Sequence, residues 1–255
     1  MRIFVAGGTG AIGRRLLPLL VSDGHVVVGS TRTAAKAAAL AALGAEPVVI
    51  DVFEAAALRE AVAAARPEII IHQLTDLPQI LNGPLDRAIS ARNARLRIEG
   101  TANLAAAARA AGARRFIAQS IAFIYAGGKT PHLETDALAS GEGDAPGTAT
   151  ARGVRALEQA TLGIPGIAGI VLRYGRLYGP GTWFDAPQGP GSLHVDAAAH
   201  AALLAVTRGK PGAYNISDDD GAVVIDKARA ALGFDPGFRI EGAAVELAAT
   251  RSAPG

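Results

Sequence analysis

Short, wholly apolar runs alternate with alanine-rich stretches of helical period through the first half of this chain. The runs cover residues 3–6, 26–29, 47–50, 68–72 and 115–118; the helical stretches cover 11–22, 34–43, 54–65 and 85–111. A run that is apolar throughout, rather than at every second position, is the mark of a strand buried on both faces. Strands alternating with helices predict a parallel sheet covered on both sides, and right-handed crossovers wind it in two directions. The second half is less regular. Residues 127–147 are polar and rich in Gly, Pro and Asp, which predicts a loop over the sheet edge. A helix is expected at 150–162, a strand at 167–173, a Gly/Pro-rich turn at 179–191 and a helix at 196–207. A short strand at 213–216 and a helix at 223–232 follow, with residues 251–255 frayed.

Composition narrows the function. The 255 residues suit one α/β domain: residues 1–165 as a nucleotide-binding core, 166–255 as core mixed with a small cap. Aromatic residues are only 5% of the chain, too few for a platform that stacks nucleic-acid bases. The net charge of +2 is scattered, and its densest cluster, residues 87–97, is expected on the exposed face of one helix. Nucleic acid is therefore not an expected partner. There is no cysteine, which excludes disulfides, thiolate metal sites and a cysteine nucleophile, and fits a cytoplasmic protein. The five histidines and the carboxylates show no metal-ligand spacing, so no metal is expected. No apolar stretch reaches the roughly 20 residues of a membrane helix, and the run at 3–6 is too short for a signal peptide.

The chemistry-bearing feature is Gly7-Gly8-Thr9-Gly10-Ala11-Ile12-Gly13, between the first strand and the first helix. Glycines there permit a tight turn, close approach of backbone to a pyrophosphate, and tight helix–strand packing. The helix N-terminus offers N–H groups and a positive dipole end to the phosphates. The second strand runs into Gly29-Ser30-Thr31-Arg32-Thr33, with Lys36 beyond and no carboxylate to hold a ribose 2′-hydroxyl. Arg32 suits a 2′-phosphate instead, with Thr31 or Thr33 as hydrogen-bond partner, so NADP(H) is favoured over NAD(H). Asp51, with Val52, ends the third strand either beside an adenine or as a helix cap. His72 reads as a hydrogen-bonded structural histidine, and His132 and His200 as isolated surface residues.

These motifs carry a resemblance. The chain resembles the extended or atypical short-chain dehydrogenase/reductases of the NAD-dependent epimerase/dehydratase group. The glycine turn matches the family's nucleotide turn. Asn93 followed by Glu99-Gly100-Thr101-Ala102-Asn103-Leu104 looks like its central helix. Gln119-Ser120 through Tyr125 resembles the end of its fifth strand, and Arg173 through Gly181 the run after its sixth. His194-Val195-Asp196 resembles an element that ties a late helix to the sheet. The resemblance implies a Rossmann-type doubly wound sheet with a small C-terminal substrate-binding cap. It places Gly7, Thr9, Gly10, Ala11, Ile12 and Gly13 on pyrophosphate, and Gln73, Leu74, Asn93 and Tyr174 near the nicotinamide ribose. It also implies a homodimer through the helices near 85–111 and 150–162.

The family's Tyr-x-x-x-Lys pair is missing. With Glu158 set on the family's helix glutamate, Thr150 stands for the tyrosine and Val154 for the lysine. The usual Ser/Thr position, four residues before Tyr125, holds Ile121. Ser120 and Tyr125 are the remaining proton-transfer candidates. The short stretch between Gly179-Pro180 and His194 implies an open cleft or a small substrate, and the substrate expected is a small carbonyl or alcohol. The expected activity is that of an oxidoreductase, or an epimerase/dehydratase-like enzyme, with an inactive NADP(H)-binding sensor or partner-binding protein as the alternative.

Overall fold

The computed structural model describes residues 1–240 apart from 79, 82, 84, 85 and 144–146. Strands β1 (Arg2–Ala6), β2 (Val26–Thr31), β3 (Glu46–Val49), β4 (Ile69–His72), β5 (Arg115–Ile121), β6 (Ala168–Tyr174) and β9 (Gly212–Ile216) form one sheet in the order β3-β2-β1-β4-β5-β6-β9. All six pairings are parallel. The order reverses between β1 and β4, so crossovers leave a crevice at the carboxyl ends of these two strands. Helices α1 (Ala11–Ser22), α7 (Val195–Thr207) and α8 (Asp226–Leu232) cover one face; α3 (Ala55–Ala65), α5 (Thr101–Ala110) and α6 (Thr148–Leu162) cover the other. A 3-10 turn, Ala34–Lys36, leads into the short α2 (Ala37–Ala42).

Successive side chains of a strand point to opposite faces, and the two cores follow that period. Ile3 and Val5 of β1 join Ile71, Ile117 and Ile170 on the α1/α7 side, whereas Phe4 and Ala6 join Ile70, Phe116 and Ala118 on the other. Alanines make α7 nearly all buried: Ala197, Ala198, Ala199, Ala201, Ala202 and Ala205 are inaccessible, which lets α7 lie close against α1 and the sheet.

The sheet matches the apolar runs, with three differences. Strands β2, β5 and β6 extend two, three and one residues past the expected ends, because Ser30 and Thr31, Gln119 to Ile121, and Tyr174 sit inside the ladder. A small pair, β7 (Arg176–Tyr178) with β8 (Ser192–His194), was not signalled, each being three residues beside Gly/Pro-rich turns. The expected 85–111 helix is α4 (Arg87–Arg95) continued into α5 through a π-helical turn, Leu96–Gly100. The burial pattern along it brings a correction. Arg87, Arg92 and Arg95 are exposed as expected, but Arg97 is 5% exposed and faces inward. The 127–147 loop is pinned at the sheet edge by bridges from Tyr125 to Leu138 and from His132 to Val223. Residues 251–255 lie outside the described part. Among the described residues no helix is long and apolar enough to cross a membrane, and no cluster of metal-ligating side chains is formed.

Candidate cofactor and active site

The glycine turn joins β1 to α1 at the sheet's crevice. Gly13 is required by packing, since a Cβ there would lie 2.4 Å from the Gly7 carbonyl oxygen. Gly7 has φ +94°, and a Cβ would lie 2.8 Å from the Gln73 backbone. Gly10 is different. Its φ of −75° and ψ of 176° suit any residue, and the nearest atom to a Cβ would be the Gly7 carbonyl oxygen at 3.4 Å. Neither strain nor internal packing demands glycine at that exposed position. Its absent side chain keeps open the space above the N-terminus of α1, where no side chain caps the helix and no acidic residue occupies the first turn. An uncapped helix start with an open approach is what a pyrophosphate needs, so the residues present fit a dinucleotide.

A cleft continues from there over β1 and β2, lined by Ala6, Thr31, Arg32, Val52 and Leu74, with Leu96 beneath. Its lining mixes apolar side chains with polar Ser30, Thr31, Arg32 and Thr75. Thr31 Oγ1 accepts the Thr33 amide at 3.3 Å. Arg32, about half exposed, reaches Asp76 at 3.3 Å, and Asp76 lies 3.6 Å from Arg92 as well. Lys36 closes the 3-10 turn beyond. Asp51 accepts the Phe53 amide at 3.0 Å, an Asx turn ahead of α3 rather than its cap, which is Glu54.

At the end of β4 stand His72, Gln73 and Leu74. Gln73 donates from Nε2 to the Tyr174 hydroxyl at 3.3 Å, while its buried Oε1 has no partner. Asn93 on α4 accepts the Asp76 amide at 2.9 Å. His72 accepts the Leu74 amide at Nδ1, so Nε2 carries the proton it shares with Thr101 Oγ1 at 3.0 Å. Burial, and secondarily the charge of Arg97, press its pKa down to about 3. It is the hydrogen-bonded structural histidine that was expected. Tyr174 is fully buried, which raises its hydroxyl well above the ordinary value.

Beside these lies a closed polar network. Arg173 on β6 grips Glu158 on α6 with two hydrogen bonds, 2.9 and 2.7 Å, and both side chains are over nine-tenths buried. Ser120 donates to the same carboxylate at 2.7 Å. Tyr125 accepts from Arg173 at 2.9 Å and donates to Asn215 at 2.5 Å. Its hydroxyl is raised by burial, against the opposing pull of Arg173. The hydroxyl protons of Ser120 and Tyr125 are thus both committed inside the protein. On α6, Thr150 is partly exposed, whereas Val154 is fully buried with Ile121, Ile124 and Ala151. That helix presents no acid and no cation at either position.

Two histidines depart from expectation. His132 is partly buried, stacks on the Tyr125 ring at 4.8 Å and contacts Asp136 at 3.1 Å; His200 stacks on Phe238 at 3.8 Å. Loop closure over aromatic rings, invisible in local sequence, puts them there. His194 caps α7 by accepting the Asp196 amide, and Asp196 pairs with Arg15 of α1 at 2.9 Å. Trp183, in the turn after β7, donates to the Pro78 carbonyl at 2.9 Å and so straps the cap to the loop after β4. Sequence reading missed Asp76, Trp183 and the inward turn of Arg97. A basic residue four positions after Asn93 and four before Thr101 was the available signal for the last.

Comparison with known proteins agrees with this geometry. Residues 3–193 match the family model described as the NAD dependent epimerase/dehydratase family. A 3-diazoavenalumate denitrifying reductase of a Streptomyces species is 41% identical, over 87% of this chain and 77% of that protein. A 4-hydroxy-2-methyl-3-oxo-4-farnesyl-3,4-dihydroquinoline-1-oxide ketoreductase of Stigmatella aurantiaca is 33% identical, over 53% of this chain and 38% of that protein. Among solved structures, a UDP-glucose 4-epimerase of Thermotoga maritima with UDP-glucose has the same fold, with a TM-score of 0.72 at 20% identity, covering 94% of each chain. The chain belongs to the NAD-dependent epimerase/dehydratase family, as an atypical short-chain dehydrogenase/reductase.

Proposed function

We propose that this protein is an NADP(H)-dependent reductase that directs hydride to a small electrophile with no proton donor on α6. The observation that carries the reading is the pairing of an open, uncapped glycine turn with a helix whose lysine position is a fully buried valine. Gly7, Thr9, Gly10, Ala11, Ile12 and Gly13 hold the pyrophosphate. Asp51 and Val52 meet the adenine, and Gln73, Leu74, Asn93 and Tyr174 surround the nicotinamide riboside. Thr31, Arg32 and Lys36 hold the 2′-phosphate. The Arg32–Asp76 contact is a surface pair of little worth, so a doubly charged phosphate displaces the carboxylate.

Bound there, the nicotinamide supplies hydride. What the chain does not supply is a ready proton. A carbonyl that takes hydride becomes an alkoxide and needs a general acid. Ser120 and Tyr125 hold the Arg173–Glu158 pair in place, and their protons are already shared with Glu158 and Asn215. An arenediazonium has no such need: its ring carbon gains hydride, the carbon–nitrogen bond breaks, and N2 leaves with the bonding pair. The Streptomyces relative is named as a denitrifying reductase of a 3-diazo compound. A homodimer through the outward faces of α4 and α6 is no part of this proposal. Those faces expose Arg92, Arg95, Arg152 and Arg155, with Arg92 beside Asp76 and Arg95 beside Glu99.

The test is steady-state NADPH consumption with 4-hydroxybenzenediazonium and with a panel of aldehydes and ketones, each corrected for the enzyme-free rate. Turnover of the diazonium, with carbonyls slower by about two orders of magnitude for want of a general acid, is expected. Cofactor binding without consumption of either class would leave the sensor reading standing instead.

A further inference from the structure

Arg97 is a buried cation with nothing to hold. It lies in the π-helical turn between α4 and α5 and is 5% exposed. Its Nη1 is enclosed without a partner, and among the described residues no hydrogen bond or ion pair to its nitrogens is formed. The carboxylates of the region are engaged elsewhere: Asp76 with Arg32 and Arg92, Glu99 with Arg95, and Glu158 with Arg173. The cost shows in its own chemistry. Burial alone lowers the guanidinium to about 10, and its charge helps keep neighbouring His72 neutral.

Its direction follows from its neighbours on the helix. Asn93, one turn before, bonds the Asp76 amide, and Thr101, one wide turn after, bonds the His72 ring. Both partners belong to the segment that leaves the carboxyl end of β4. Arg97 lies on the same buried stripe between them, so it faces that segment too. Gln73, in the same segment just past β4, carries one enclosed polar atom without a partner, Oε1. The charge of Arg97 is near enough to act on the His72 ring that ends β4, beside the switch point where ligands bind in such sheets.

We propose that Arg97 is a substrate-anion site: its guanidinium binds a carboxylate of the molecule that the bound nicotinamide reduces. The inference rests on the cofactor reading above. A planar guanidinium in a nearly dry site is matched by a planar oxyanion that accepts two hydrogen bonds. The dinucleotide's own anions are accounted for at other strands, the pyrophosphate at the Gly10 turn after β1 and the 2′-phosphate at Arg32 after β2. The anion that reaches Arg97 therefore enters with the substrate. An unpaired buried charge also lowers stability, and a ligand that pairs it returns that stability only when the substrate is present.

The experiment compares wild type, Arg97→Leu and Arg97→Lys in three measurements. NADPH and NADP+ binding by calorimetry reads the cofactor site. Binding of benzoate, 4-hydroxycinnamate and methyl 4-hydroxycinnamate to the NADP+ complex reads the anion site. Thermal unfolding without ligand reads the cost of the charge. The expected result is carboxylate binding by wild type, weakened about 30-fold or more in Arg97→Leu and partly kept in Arg97→Lys. Weaker binding of the ester, unchanged cofactor binding, and a higher unfolding temperature for Arg97→Leu complete it. The assignment is overturned by unchanged carboxylate binding in Arg97→Leu, by equal binding of acid and ester, or by no carboxylate binding to wild type. It is overturned as well by a fall in unfolding temperature for Arg97→Leu, which makes the residue structural, or by loss of NADP(H) binding, which makes it a cofactor contact. Failure of wild type to bind either cofactor strikes the reductase reading itself.

Discussion

At the scale of single residues, the glycines of the nucleotide turn do different work, and substitution separates them. Gly13→Ala forces a Cβ against backbone 2.4 Å away and is expected to cost on the order of 3 kcal/mol in chemical denaturation. Gly10→Ala meets no such obstacle and keeps an allowed backbone, so its unfolding midpoint stays within about 0.5 kcal/mol of wild type. Its calorimetric affinity for NADPH nonetheless falls, because the new methyl occupies the phosphate approach. A Gly10→Ala variant that binds NADPH normally would remove the pyrophosphate from this turn. Arg32→Ala is expected to weaken NADPH binding about tenfold while leaving NADH binding unchanged, since only the former carries a 2′-phosphate. Equal loss for both cofactors would place Arg32 outside cofactor discrimination.

At the scale of elements, the bidentate Arg173–Glu158 pair is the strut between β6 and α6. Arg173→Met leaves the Glu158 carboxylate buried and unpaired, which is expected to cost about 3–5 kcal/mol in urea unfolding. Adding Glu158→Leu to that variant recovers most of the loss, because a buried pair replaced by apolar groups has no stranded charge. A double variant as unstable as the single one would mean that the strut stabilises by packing rather than by charge. This network also marks the limit of what the sequence disclosed. Runs such as Ile69–His72 were legible because burial on both faces makes a strand apolar throughout. The glycine turn was legible because its residue types answer to geometry. The extension of β5 was not, since Ser120 looks like a loop residue until it finds Glu158 across the sheet. Arg97 was misjudged for a related reason. It was grouped by charge with exposed Arg92 and Arg95, although it stands four positions after Asn93, on that residue's buried side of the helix. Ser120 and Tyr125 were read as proton-transfer candidates, and the partners that hold their hydroxyls are far along the chain: Glu158 lies 38 positions from Ser120, and Arg173 and Asn215 lie 48 and 90 from Tyr125.

At the scale of the whole molecule, fully buried His72 couples folding to acid. Its pKa is about 3 in the folded protein and 6.5 when unfolded, so the unfolded chain binds the extra proton between those values. The stability that its neutral form contributes is complete above pH 6.5 and is lost as the pH falls towards 3. Between pH 7 and pH 4 this amounts to about 3 kcal/mol. His72→Gln does not titrate, and its unfolding free energy should fall less steeply over that range by the same amount. Parallel pH profiles for the two proteins would show that another group sets the acid limit.

The same molecule keeps an open cofactor turn while α6 carries no acid at Thr150 and no cation at Val154, and this combination sets the proposed chemistry. The direct test uses NADPH deuterated at the transferred C4 position, with 4-hydroxybenzenediazonium in ordinary water, and mass analysis of the phenol formed. The account predicts one deuterium per product molecule, at the carbon that carried the diazo group, with one cofactor oxidised for each. Product without deuterium, or cofactor left unoxidised while the enzyme is saturated with it, would contradict it.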